Sequence, residues 1–234
     1  MISNCKPVTH VLFDLDGLLL NTESLYTIGT QNVLDKFFQN PRKLYSWDYK
    51  VILMGLKTEE VWKKIVEHFD IPVTWQEYEK LAIEQFDVLM KDCVKLPGAD
   101  RLINHLNKHN IPFCLATSSS KESFDIKSTH HQEFFSKFNH IVLGSSDSGV
   151  TRGKPFPDIF LVAASRFTDQ PKPENCLVFE DSPNGVKAAR AANMQVVMVP
   201  NPHVTEDQRE NATKVLNSLL DFKPEEFGLP PFDD

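Results

Sequence analysis

The sequence predicts an α/β fold, a Rossmann-like parallel sheet interrupted by an inserted α-helical domain. Three observations carry that expectation. Short apolar runs alternate along the chain with longer stretches of helical period. The runs are continuous rather than strictly alternating, as strands covered on both faces require. One long interval, residues 23–94, breaks the alternation and holds no strand-like run at all.

Taken in order, the strand expectations fall at residues 8–13, 111–116, 140–143, 175–179 and 195–199. Crossover helices are expected at 99–110, 121–130, 158–167 and 183–192, with Gly98, Pro112, Gly144 and Pro200 marking transitions. The interval reads as helices over 23–38, 47–54, 58–69 and 75–94. Thr58 and Thr74 are expected N-caps, each followed by carboxylates (Glu59, Glu60, Glu77). Residues 1–20 and 95–234 then form the α/β core and 21–94 a helical cap. All three tryptophans, Trp47, Trp62 and Trp75, fall in the cap and are expected to form its interior, with room for one to face a cleft. Asn193 stands where a helix should end in a left-handed residue, a conformation Asn tolerates. The tail, 221–234, is expected to pack loosely on the core.

Composition narrows the functional classes. At 41% hydrophobic and 24% charged, 234 residues can bury a core, and disorder is excluded. A net charge of −7 argues against a nucleic-acid partner. No apolar run of membrane-spanning length occurs, and the first residues lack an apolar leader, so no membrane association is expected. Cys5, Cys93, Cys114 and Cys176 are dispersed, which suits reduced thiols in a cytoplasmic protein; a monomer is the default.

Ligands of open parallel sheets bind beyond the C-terminal ends of the strands. There the sequence sets Asp14-Leu15-Asp16-Gly17, Thr117-Ser118-Ser119 and Glu180-Asp181-Ser182, with Gly153-Lys154-Pro155 before a helix. This set suits phosphoryl transfer through a carboxylate. One member of an Asp-x-Asp pair can attack while the other lies beside the leaving group. Asp181 adds a third carboxylate to an all-oxygen Mg²⁺ site. Lys154 brings a point charge, and Thr117 a hydroxyl beside free helix N–H groups. The partner this implies is a small phosphorylated metabolite.

Those four segments resemble, in order, the motifs of the haloacid dehalogenase-like phosphatases: residues 13–18, 115–119, 153–160 and 179–185. A narrower resemblance, to the animal pseudouridine-5′-phosphatase branch, is carried by residues 16–20, 45–48, 140–144, 176–185 and 194–200 and by the stretch from Val215 to Pro230. The resemblance implies Asp14 as nucleophile and Asp16 as acid and base. It implies Mg²⁺ held by Asp14, the Asp16 carbonyl and Asp181 with Glu180, phosphate held by Thr117 and the Ser118 amide, and charge neutralised by Lys154. Asn21-Thr22-Glu23 departs from the family's usual Asp-Thr-Glu, and Asn21 and Glu23 are substrate-side candidates. Gly55 and Lys57 resemble a cap loop that faces the reacting groups. Related sugar-phosphate mutases carry an Arg where Thr58 stands and a His where Tyr26 stands, so hydrolysis is favoured over the mutase alternative. A catalytically weak binding protein is the other alternative. His105 and His109, four residues apart, read as a solvated helix face rather than zinc ligands.

Overall fold

The computed structural model describes residues 5–233; residues 1–4 and 234, part of the expected core and tail, lie outside the described residues. Six strands form one sheet: β1 (His10–Phe13), β2 (Phe113–Thr117), β3 (Ile141–Leu143), β4 (Cys176–Glu180), β5 (Gln195–Met198) and β6 (Lys214–Val215). Their order is β3-β2-β1-β4-β5-β6, and every neighbouring pair is parallel. The chain runs outward from β1 to β3 and then returns to place β4 on the other side of β1. That reversal opens a crevice at the C-terminal ends of β1 and β4.

Period-two alternation sorts the strand side chains onto two covered faces. Val11, Phe13, Phe113, Leu115, Leu177 and Phe179 face one layer, which includes α5 (Ala99–Lys108), α6 (Lys121–Ser128) and α7 (Gln132–Phe135). Leu12, Cys114, Ala116, Cys176 and Val178 face the other, made by α8 (Asp158–Ser165) and α9 (Pro183–Ala191). The second face carries small residues on both sides, including Ala163, Ala188 and Ala189, which lets those helices lie close to the sheet.

Between β1 and α5 come α1 (Glu23–Phe37), α2 (Trp47–Leu53), α3 (Thr58–Phe69) and α4 (Trp75–Leu89). They enclose their own core of Val33, Leu34, Trp62, Ile65, Tyr78 and Phe86, among others. The chain enters and leaves this unit side by side: Asn21 N–H bonds the Val94 carbonyl at 2.8 Å, and Leu96 N–H bonds that of Leu19 at 2.9 Å. Thr74 caps α4 in a reciprocal box with Glu77, as its spacing predicts. Thr58 does not cap α3. Lys57 occupies that place, and the Thr58 N–H instead bonds Ser145 Oγ of the core at 3.1 Å. Asn193 takes the left-handed conformation, at φ 59°.

Two further expectations need correction. The tail packs tightly: Phe222, Phe227 and Leu229 are buried in the core, and Val8 N–H bonds the Phe227 carbonyl at 2.9 Å. Its two short 3₁₀ turns and scattered aromatics give no period by which a sequence reading could find that burial. The tail also covers His105, whose Nε2 lies 2.9 Å from the Pro230 carbonyl, so His105 is not on a solvated face. Its neighbour His109 lies 3.8 Å from Asp233, which itself pairs with Lys108 at 2.7 Å. Finally, β6 and α7 are too short to leave a periodic signal.

Phe227→Ala is expected to destabilise the protein by about 3–5 kcal/mol, the usual result of emptying a buried aromatic site. Denaturant unfolding measures this, and an unchanged midpoint would show the tail to be dispensable packing.

Candidate active site

The first strand ends at Phe13, and the next residue, Asp14, stands in the crevice beside β4. Its Oδ1 lies 2.5 Å from Lys154 Nζ, and the same amine lies 2.5 Å from Glu180 Oε1. Lys154 and Glu180 side chains are completely buried. The second oxygen of Glu180 accepts from the backbone N–H groups of Asp181 and Ser182 at 3.1 Å and from Ser182 Oγ at 2.9 Å. Both Glu180 oxygens are therefore engaged, and this residue holds the loop after β4 in shape.

Asp181 differs. Its Oδ2 is buried and has no hydrogen-bond partner among the described residues. One carboxylate oxygen from each of Asp14, Glu180 and Asp181 falls within a 4.8 Å cluster. Burial pushes the Asp14 carboxyl up to about 7, even against the attraction of Lys154. Burial also raises Asp181, reinforced by the neighbouring charges of Glu23, Glu180 and Asp14. Carboxylates crowded in a dry site resist ionisation unless a cation joins them. Lys154 shows the reverse balance: burial would lower it, but Asp14 and Glu180 hold it above the ordinary lysine value. The turn after β1 needs Gly17. At φ 77°, a Cβ there would lie 2.3 Å from Asp181 Oδ2.

Asp16 is held by a different set. Lys127 Nζ lies 2.8 and 2.7 Å from its two oxygens, while Thr22 Oγ1 and Ser119 Oγ each donate to it at 2.8 Å. Burial would raise the Asp16 carboxyl, but the Lys127 ammonium and these hydrogen bonds keep it below the usual carboxylate range. Thr22 stands at the N-cap position of α1, yet its hydroxyl goes to Asp16 rather than to the helix.

The phosphate-loop candidates adjoin these carboxylates. Thr117 ends β2, almost fully buried, and its Oγ1 accepts from Ser119 N–H at 3.2 Å. The three consecutive serines have three separate tasks. Ser118 Oγ donates to the Gly55 carbonyl at 2.8 Å, Ser119 serves Asp16, and Ser120 caps α6.

A cavity of about 450 Å³ lies between the helical unit and the sheet's C-terminal rim. Asp14, Asp16, Asp181, Thr117, Ser118, Glu23 and Gly55 line it. So do Trp62, Trp75, Phe86 and Tyr45 of the helical unit. Two of the three tryptophans thus border a cleft, while Trp47 stacks on His203 elsewhere. Glu23 is held by Lys50, whose buried amine lies 2.8 Å from its Oε2. Lys154 and Glu180 do not line the cavity but meet Asp14 through the Lys154 amine, and two other sequence candidates stand apart. Lys57 is not among the lining residues. Its amine bonds the Val150 carbonyl at 2.6 Å and so ties α3 to the core. Asn21 is exposed and is likewise absent from the lining. Lys127, Lys50 and Ser145 were not found by sequence reasoning, because a single lysine or serine within a helix or loop has no neighbouring pattern to mark it.

Removing Lys154 would leave two buried carboxylates without their cation. Lys154→Ala is expected to cost about 3–5 kcal/mol of stability and to lower turnover of any phosphate ester at least ~100-fold. Urea unfolding and phosphate release check the two effects separately.

Comparison with known proteins agrees with this geometry. Residues 11–199 match the haloacid dehalogenase-like hydrolase family. A probable pseudouridine-5′-phosphatase from Drosophila melanogaster is 52% identical over 229 residues, which is 98% of this chain and 97% of that protein. The (DL)-glycerol-3-phosphatase 2 of Arabidopsis thaliana is 43% identical over 236 residues, covering 97% and 94%. Among solved structures, CbbY from Rhodobacter sphaeroides, crystallised with phosphate, superposes with a TM-score of 0.75 at 23% identity, over 92% of this chain and 96% of that one. With its carboxylates and lysine gathered at the switch point of a parallel sheet, and with the match running through nearly the whole sheet, this chain belongs to the haloacid dehalogenase-like hydrolase family.

Proposed function

We propose that the chain is a Mg²⁺-dependent phosphatase that hydrolyses a small phosphate monoester through an aspartyl-phosphate on Asp14, with pseudouridine 5′-phosphate as its leading substrate. The observation that carries this reading is one continuous cavity. It joins Asp14, Asp16 and Asp181 to a lining that includes Trp62, Trp75 and Phe86. A phosphate would meet the charged groups, and a planar base would suit the aromatic ones. Glycerol phosphate has no ring to use that lining.

The residues fit Mg²⁺. Asp181 carries an orphaned buried oxygen, and the carboxylates of Asp14 and Glu180 cluster with its own. Asp14, Asp181 and the Asp16 carbonyl would hold the ion, with Glu180 fixing the loop. When bound, the ion would shield Asp14 from the incoming phosphate and balance charge in the transition state.

The chain's own groups then divide the work. Thr117 Oγ1 and the Ser118 N–H hold phosphate oxygens. An Asp14 carboxylate oxygen attacks phosphorus, the bond to the leaving alcohol's oxygen breaks, and Asp16 gives that oxygen a proton. This role requires Asp16 to take up a proton before the step, since its contacts with Lys127, Thr22 and Ser119 favour the ionised form. Water next attacks the aspartyl-phosphate and loses its proton to Asp16. Phosphate departs, and both carboxyls return to their starting states. Lys154 offsets the charge on the transferring oxygens throughout.

The direct test is phosphate release against pseudouridine 5′-phosphate, UMP, glycerol 3-phosphate and a hexose phosphate. Pseudouridine 5′-phosphate is expected to exceed glycerol 3-phosphate in kcat/KM at least ~10-fold. The opposite order would transfer the substrate assignment to glycerol phosphate. EDTA should abolish release and added Mg²⁺ restore it; release unchanged by the chelator would remove the metal from the reading. Asp14→Asn should eliminate turnover, and residual activity above about a tenth would end its assignment as nucleophile.

A further inference from the structure

We infer that Lys127 is a positioning residue for the reaction, holding the carboxylate of Asp16 in place for proton transfer. The inference rests on Asp16 being the group that handles the leaving-group proton.

Lys127 lies in the last turn of α6, and its side chain is completely buried. Its ammonium touches both Asp16 oxygens, Ser119 Oγ at 2.6 Å and the Tyr26 hydroxyl at 3.1 Å. Its hydrogen bonds thus go to Asp16, to Ser119, which itself bonds Asp16, and to Tyr26. Burying an ammonium this way is a poor route to stability, because desolvation offsets most of the attraction. It does fix geometry. The Asp16 carboxylate receives donors from the turn before α1 (Thr22), from the phosphate loop (Ser119) and from α6 (Lys127), so it is restrained from several directions at once. Asp16 meanwhile lines the cavity that would hold the ester. A group that gives or takes a proton contributes only when its carboxyl is held within hydrogen-bond reach of the reacting oxygen. Lys127 fixes that carboxyl even though it favours the ionised form, from which Asp16 must first be protonated. Tyr26, on α1 of the helical unit, also hydrogen-bonds Lys127, so the same ammonium senses where that unit sits.

A purely structural lysine and a positioning lysine differ in how their loss depends on the leaving group. An alkyl phosphate needs its departing oxygen protonated; p-nitrophenyl phosphate releases a stable phenolate and does not. Lys127→Met is expected to lower kcat/KM for an alkyl phosphate at least ~10-fold more than for p-nitrophenyl phosphate. Lys127→Arg, which keeps the cation, should recover part of that difference. Equal losses on the two esters, or no loss on the alkyl ester, would overturn the inference. Asp16→Asn is run alongside. If it shows no such leaving-group dependence, the reading of Asp16 fails, and the fault is not with Lys127. Should Lys127→Met fail to fold, the paired variant Asp16→Asn/Lys127→Met removes both buried charges together. On p-nitrophenyl phosphate it should match Asp16→Asn within about twofold, because two residues acting through one group do not add. A further ~10-fold fall in the paired variant would contradict the inference.

Discussion

The ammonium of Lys154, completely buried between Asp14 and Glu180, is the interaction on which the rest of the site depends. It gathers residues from the end of β1, the end of β4 and the loop before α8 into one place, across separations of 140 and 26 positions in the chain. Without a cation, carboxylates this close and this dry would not remain ionised together. The parallel sheet makes the meeting possible. Its reversal between β1 and β4 brings the two carboxylate-bearing strand ends side by side, and the side chains that follow them have nowhere to point but into the crevice. Gly17 and the saturated Glu180 are consequences of that crowding, the first leaving room for Asp181 and the second bracing its loop.

The helical unit is attached to the core in a different way. Its ties to the rim include hydrogen bonds from single polar groups, Ser118 to the Gly55 carbonyl, Lys57 to the Val150 carbonyl, Asn184 to the Met54 carbonyl and Thr58 N–H to Ser145, beside the packing of Val51 and Met54 into the core cluster. Bonds of this kind contribute about 0.5–1.5 kcal/mol each once exchange with water is counted. They can be traded for water as a unit moves, whereas the Lys154 cluster cannot. A buried charged floor beneath an aromatic roof joined to it by exchangeable hydrogen bonds and a small apolar contact is the arrangement an enzyme needs if substrate is to enter and water then be kept out.

Sequence reasoning reached the α/β alternation, the helical insertion and each carboxylate of the site because those features are local. A buried parallel strand must be a short apolar run, and groups at its end must lie beyond the sheet. It misjudged features that depend on a distant partner. Thr58 looked like a cap, but its neighbourhood is completed by Ser145, 87 residues later. Lys57 looked able to reach a substrate, yet carbonyls of the core's 150–151 loop hold its amine. His105 looked solvated until the tail, 125 residues away, covered it.

Chain order alone therefore marked five of the six described strands, the interruption after β1 and, as candidates, Asp14, Asp16, Thr117, Glu180 and Asp181 at strand ends and Lys154 in the loop before a helix. Only the tertiary structure decided which cation serves which carboxylate. Lys154 goes to Asp14 and Glu180, Lys127 to Asp16, and Lys50 to Glu23. The physical reason is that a lysine's role is set by what excludes water around it. That environment is built from segments far apart in the chain, so no local pattern records it.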